Sequence, residues 1–252
     1  MRLLLTNDDG FDAEGLRALA DAVRDLGEIH VVAPDRPWSC MSHGVTQYGE
    51  IHVIERDVPG LGHCHLVSGS PADCVRIGLS AGRIPTPDVV LAGINHGGNL
   101  GIDVFYSGTI AAVREAAILG YRAVACSQYR KEQIDVDWDQ ATALARPVLR
   151  RLIEQPHRPG LHWSVNLPHP DTMNGPPPVR VLPTGLAAMP VTFEEHNGQA
   201  DRQRYKYAGA YKDRPVDPDS DVEHVFGGGI SVTPLGLNTV APDIPAIDFS
   251  DG

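Results

Sequence analysis

An α/β fold built on a mostly parallel sheet is what this sequence predicts, and three observations predict it. Short apolar runs recur at residues 3–5, 29–33 and 89–92, the pattern of strands buried on both faces. Helical periodicity fills the spaces between such runs. Strand, polar loop, helix and strand follow one another from the first residues on, the opening of a βαβ unit.

The elements follow in order. Leu3, Leu4 and Leu5 read as the first strand, closed by Thr6 and Asn7. Asn7, Asp8, Asp9 and Gly10 come next, and two readings stand for them: a turn made of four turn formers, or a pair of carboxylates facing a cation at a strand end. Leu16, Leu19, Ala20 and Val23 recur at helical spacing, so residues 13–26 read as a helix that Gly27 ends. Residues 29–33 form a second strand, stopped by Pro34. Weak alternation over residues 45–67 predicts a hairpin excursion. A turn at residues 68–73 feeds a helix containing Cys74, Val75, Ile77 and Leu79, with Asp73 as a first-turn charge. Residues 89–92 are a third buried strand, followed by a glycine-rich loop over 93–101. Helices are expected at 110–119 and 139–152, the second bent by Pro147, with a short strand at 123–126 between them. Proline punctuates the last hundred residues. Short strands are expected at 165–167 and 230–234, extended structure over 179–211, an acidic loop over 213–224 with Asp221 and His224 as residues to watch, and a loose tail over 241–252.

Composition narrows the function. Among 252 residues, 32 are acidic and 21 basic, a formal charge of -11. Such a chain does not bind duplex nucleic acid or anionic membrane by charge. Cys40, Cys64, Cys74 and Cys126 are scattered, with no CxxC pair, which fits a reducing compartment. The amino-terminal apolar run is too short for a secretory leader, and no apolar run is long enough to span a bilayer. No GxGxxG, GxxxxGK[ST] or GxSxG motif occurs, which argues against a dinucleotide site, a phosphate loop of the Walker type and an acyl-hydrolase elbow.

Ligands of open α/β sheets sit at the carboxyl ends of the strands. Three loops leave predicted strand ends: 8–12, 35–44 and 93–101. They bring Asp8, Asp9, Ser39 and Asn95 to one rim. All four offer oxygen, which suits Mg2+ or Mn2+ better than zinc. Ser42, Gly98, Asn99 and the Ser107-Gly108-Thr109 turn then remain to hold an anion. For the last of these, a phosphate cradle and a plain helix cap are equally open readings. His96 reads either as a ligand contact or as a surface residue. The chemistry that fits is metal-assisted hydrolysis of a phosphate monoester, with Asp8, Asp9 and Asn95 as the reactive core. Cys40, an isolated thiol, reads as non-catalytic.

Several of these stretches, in this order, resemble the SurE family of survival proteins with 5'-nucleotidase activity. They are Thr6-Asn7-Asp8-Asp9-Gly10, then Val31-Val32-Ala33-Pro34-Asp35-Arg36 followed by Ser39 and Ser42, then Ser68-Gly69-Ser70-Pro71-Ala72-Asp73. Gly93-Ile94-Asn95, Gly98-Asn99-Leu100-Gly101 and Tyr106-Ser107-Gly108-Thr109 continue the series, and Val165-Asn166-Leu167-Pro168 and Ser231-Val232-Thr233-Pro234-Leu235 complete it.

The resemblance implies a Rossmann-like sheet flanked by helices with a smaller β-rich extension. The corresponding division is a core with the metal site over residues 1–160 and an extension, oligomerisation segment and tail over 161–252. It implies one divalent cation per subunit, Mn2+ or Mg2+, on Asp8, Asp9, Ser39 and Asn95, and hydrolysis of nucleoside monophosphates. It further implies a cytoplasmic homodimer or homotetramer. Three departures from the family pattern stand out: Trp38-Ser39-Cys40 where Arg-Ser-Gly is usual, His96-Gly97 in the third loop, and Ser220-Asp221 in place of Thr-Asp. Trp38 and Cys40 motivate the alternative expectation, a noncatalytic nucleotide- or metal-binding module that keeps the fold.

Overall fold

The computed structural model describes residues 1–131, 134–196 and 202–238; the expected tail at 241–252 lies outside them. Its elements, in chain order, are β1 (Arg2–Thr6), α1 (Glu14–Val23), β2 (Glu28–Pro34), β3 (Val53–Val58), β4 (Gly62–Val67), α2 (Pro71–Ser80), β5 (Val89–His96), α3 (Gly108–Ile118), β6 (Arg122–Gln128), α4 (Trp138–Ile153), β7 (His162–Leu167), β8 (Val179–Val181), β9 (Phe193–His196), β10 (Arg204–Tyr207), α5 (Asp221–Phe226) and β11 (Ile230–Leu235).

A nine-stranded sheet runs in the order β3-β4-β2-β1-β5-β6-β7-β11-β8, and β9 and β10 form a separate antiparallel pair. From β4 to β7 every neighbouring pair is parallel. β3 and β11 run antiparallel to β4 and β7. This is the mostly parallel α/β sheet that the apolar runs predict, with the small β extension that the family resemblance implies. The expected boundary at residue 160 does not interrupt the sheet, because β7, β11 and β8 continue it.

Alternation along each strand divides the core into two layers. Leu3, Leu5, Val31, Ala33, Leu91 and Val124 face α1 and α4. Leu4, Val32, Val90, Ala92 and Ala123 face α2 and α3. Gly15 sits where α1 meets β5: a Cβ there would lie 2.0 Å from the Ile94 carbonyl oxygen. α4 runs through Pro147, whose ring lies on the exposed side, so the missing N–H is not a buried loss.

Three local expectations change. β5 runs on to His96 instead of ending at Ala92, because Asn95 and His96 pair with Ser127 and Gln128 of β6 after a bulge. Ladder pairing there outweighs the weak strand preference of glycine and asparagine. The acidic stretch at 213–224 is not all loop: Ser220 accepts from the Glu223 N–H and starts α5. Asp73 is more than a first-turn charge. It completes a capping box with Ser70 and accepts from Thr46 N and Oγ1 at 2.9 and 2.8 Å, tying the segment before β3 to α2.

The candidate active site at the carboxyl rim

β1 is the strand at which the connections reverse direction: β2 and β4 build outward on one side, β5, β6 and β7 on the other. Such a switch point opens a crevice at the strand carboxyl ends. Asp8 and Asp9 leave β1 into that crevice, and Asn95 stands near the end of β5 beside it. Asp8, Asp9, Ser39, Asn95, Gly98, Asn99 and Ser107 line one cleft of about 540 Å3.

Each carboxylate is fixed by a different element. Asn7 Nδ2 closes the turn onto the Gly10 carbonyl at 2.7 Å. Asp8 is 4% exposed, and its Oδ1 accepts from Thr109 Oγ1 at 2.5 Å. The first turn of α3 abuts it so closely that a Cβ on Gly108 would lie 2.8 Å from the Asp8 Cβ. Burial pushes the Asp8 carboxyl up to about 6, with Asp9 adding to the rise and the Thr109 hydrogen bond opposing it. Burial also raises Asp9, whose Oδ2 accepts from the His96 backbone N–H at 3.0 Å.

Two adjacent carboxyls held above their ordinary range by burial would gain from further positive charge. The oxygens around them are of the kind that would supply it through a cation. Asn95 donates its Nδ2 to the Gly97 carbonyl at 2.8 Å, leaving its Oδ1 as an acceptor. Ser39 is exposed on a loop pinned by Trp38 N to the Asp8 carbonyl at 2.8 Å and by Ser42 N to the Tyr106 carbonyl at 2.9 Å. Carboxylate, amide and hydroxyl oxygens form a donor set that fits a hard divalent cation, and these four residues could hold one.

The other expected residues divide. Ser107 lines the cleft and caps α3, accepting from Ile110 N at 3.0 Å; its own proton stays available to a ligand. Gly108 and Thr109 adjoin Asp8: Thr109 donates to its Oδ1, and Gly108 leaves room for its side chain. The Asn99 Nδ2 is taken by Ser127 Oγ at 2.8 Å and its backbone N–H by Asn166 Oδ1 at 2.8 Å, which fixes the glycine-rich loop. Ser42 is not in the lining; its hydroxyl donates to the Phe105 carbonyl at 2.7 Å. Cys40 lines the cleft, and the neighbouring imidazole of His43 is occupied by Glu115 Oε2 at 2.8 Å.

The family model described as "Survival protein SurE" matches residues 3–184. The chain belongs to the SurE family. A putative 5'-nucleotidase of Nostoc sp. is 39% identical over 237 residues, 93% of this chain and 99% of the relative. The 5'-nucleotidase SurE of Rhodopirellula baltica is 36% identical over 245 residues, 97% of this chain and 96% of the relative. The crystal structure of the SurE protein from Aquifex aeolicus superposes with a TM-score of 0.79 at 29% identity, covering 95% of each chain.

The wall of the cleft also carries apolar and aromatic side chains: Ile102, Tyr106, Met189, Val191, Tyr207 and Tyr211. Only Tyr106 falls in a stretch that the sequence singles out. The spacing of the other five carries no motif, and Met189, Val191, Tyr207 and Tyr211 come from the segment around β9 and β10. An ionic hub holds that wall. Asp103 Oδ2 accepts from Tyr211 Oη at 2.6 Å and Arg214 Nη1 at 2.8 Å, while Arg214 Nη2 donates to the Leu100 carbonyl at 3.0 Å. Burial, reinforced by Asp103, raises the Tyr211 phenol far above its usual range, so it remains a donor. Asp221, one of the residues to watch in the acidic stretch, accepts from Gly101 N and Gly185 N at 2.8 Å and stitches the third rim loop to the segment before β9.

Proposed function

We propose that this chain hydrolyses nucleoside monophosphates to nucleoside and phosphate, using Mn2+ or Mg2+ held by Asp8, Asp9, Ser39 and Asn95. The observation that carries the reading is a single cleft lined by oxygen donors and by three tyrosines. A phosphoryl group carries charge and oxygen, and a nucleobase carries a planar π-face; the two kinds of lining residue match the two halves of a nucleotide. When bound, a divalent cation supplies Lewis-acid polarisation of a phosphoryl oxygen. The chain's own groups do the rest. Asp8 and Asp9 provide the anionic seat, Asn95 a neutral oxygen, and the Ser107 hydroxyl a donor to the phosphoryl group. Tyr106, Tyr207 and Tyr211 bound the space for the base.

No described helix is long and apolar enough to cross a membrane. The net charge and the small, bounded cleft favour a small nucleotide over duplex nucleic acid. A cytoplasmic homodimer or homotetramer belongs to the same proposal.

Phosphate release from AMP and from p-nitrophenyl phosphate, at saturating Mn2+, tests the reading. Both substrates are expected to turn over. Ser107→Ala should lower kcat/KM on both by roughly ten- to a hundredfold, the worth of one hydrogen bond to a charged partner. Absence of turnover with Mn2+ and with Mg2+ would establish the noncatalytic binding module instead. Cys40→Ala is expected to leave kcat within about tenfold, whereas loss of an essential nucleophile costs on the order of 10^4 or more.

A further inference from the structure

The β3–β4 hairpin at the sheet edge carries a second group of ligating side chains, and none of it lines the rim cleft. Glu55 of β3 stands opposite His65 of β4, and Asp57 stands opposite His63. The period of two puts all four on one face, since the alternate residues Cys64 and Leu66 enter the α1–α4 layer while Val67 enters the α2–α3 layer. His30 of β2 projects to the same side, between Ile29 and Val31, which pack on the other layer.

We propose that Glu55, His63 and His65 form a binding site for a borderline first-row cation, Zn2+ foremost, separate from the oxygen-lined rim.

Geometry supports the assignment. His63 Nε2 is 3.6 Å from Glu55 Oε2, and His65 Nε2 is 3.7 Å from Glu55 Oε1. One ligand atom from each of the three residues lies within 4.8 Å of the others. Tetrahedral zinc with bonds of about 2.0–2.1 Å needs ligand atoms about 3.3 Å apart, so the cluster closes by small side-chain shifts.

The surroundings are those of a ligand set. Asp57 Oδ1 lies 3.3 Å from His63 Nδ1 and can take its proton, which leaves the Nε2 lone pair facing Glu55. A carboxylate on the far nitrogen is how metal-bound imidazoles are oriented. His65 is 7% exposed yet makes no side-chain hydrogen bond among the described residues, and its Nε2 faces the same carboxylate. Two imidazoles and one carboxylate with an open fourth position are a donor set for zinc; Mg2+ takes oxygen. Without the cation, Arg83 Nη1, 3.6 Å from Glu55 Oε1 and on an exposed side chain, holds part of the negative charge. A bound cation would clip edge strand β3 to β4 and displace that guanidinium.

Cobalt reports the geometry. Metal-stripped full-length protein is titrated with Co2+ in excess Mg2+, which occupies oxygen sites and competes poorly for imidazole. One equivalent should develop the intense visible bands of tetrahedral Co2+, and Zn2+ should bleach them. Asp57→Asn should weaken binding by about 10- to 100-fold, as loss of an orienting partner does. His63→Ala and Glu55→Gln should weaken it at least as much, and Arg83→Ala should tighten it. His63 and Glu55 are exposed enough for these variants to fold, which circular dichroism checks. Asp8→Asn should retain the bands, and His63→Ala should retain any phosphatase activity. No visible bands, or bands that survive in His63→Ala and Glu55→Gln, would reduce the cluster to cross-strand ion pairing and overturn the site. Bands lost in Asp8→Asn alone would place the cobalt at the rim and overturn it equally.

Discussion

Asp8→Asn is expected to reduce kcat/KM for AMP by at least about a thousandfold and to weaken Mn2+ binding measured by calorimetry. Loss of a cation's charge stabilisation removes several kcal/mol from the transition state, and each 1.36 kcal/mol is tenfold in rate. The substitution keeps the shape and an acceptor for Thr109 Oγ1, so a folding failure is not expected. The same variant makes a stability prediction of opposite sign. In the metal-free protein the Asp8 carboxyl titrates near 6 against 3.8 for an unperturbed group. A pKa raised by folding means that the folded state prefers the protonated form. Stability is therefore undiminished below about pH 4 and falls as pH rises through about 6, by at most about 3 kcal/mol. Metal-free Asp8→Asn should unfold at a higher temperature than the native chain at pH 7.5, with the gap closing toward pH 4. Unchanged Mn2+ affinity would remove Asp8 from the cation site. A lower melting temperature than native at pH 7.5 would show that the buried carboxylate is already compensated by the protein alone.

Gly108→Ala should also damage activity, though less than Asp8→Asn, for a reason that local propensity reverses. Gly108 is the first residue of α3, where alanine is the better helix former by about 1 kcal/mol. The added Cβ would meet the Asp8 side chain, 2.8 Å from its Cβ and 2.9 Å from Oδ2. Nothing in that contact is a flexible tip, so Asp8 or the helix start has to move. A displacement near 1 Å at a reacting centre can cost about a hundredfold. We expect a comparable loss in kcat/KM and weaker Mn2+ binding, with the far-ultraviolet spectrum unchanged. Kinetics within a few-fold of native would mean that the close approach of α3 does not set the Asp8 position.

Gly15→Ala would be a purely architectural counterpart. Its Cβ would collide with the Ile94 carbonyl at 2.0 Å, so it should depress the melting temperature without any selective effect on metal binding.

What the sequence determines by itself is local and periodic. Buried strands announce themselves as apolar runs because both faces are covered, so the existence of β1, β2 and β5 is legible, although the bulged end of β5 is not. The rule that ligands gather at strand carboxyl ends then predicts that Asp8, Asp9, Ser39 and Asn95 share a rim, and all four line one cleft. Only tertiary structure decides what a polar residue does once it arrives there. Asn99 donates to Ser127 Oγ while keeping its place in the cleft lining, and Ser42, outside that lining, donates to the Phe105 carbonyl. Gly108 abuts Asp8 so closely that a Cβ would meet its side chain, a constraint that no local pattern announces. Tyr207 and Tyr211 of the cleft and the paired histidines of the β3–β4 hairpin leave no trace in spacing, because their neighbours come from other strands or from the segment after β8. A contact across a sheet or between distant segments depends on register, which pairing energies over the whole sheet fix and which no window of sequence contains.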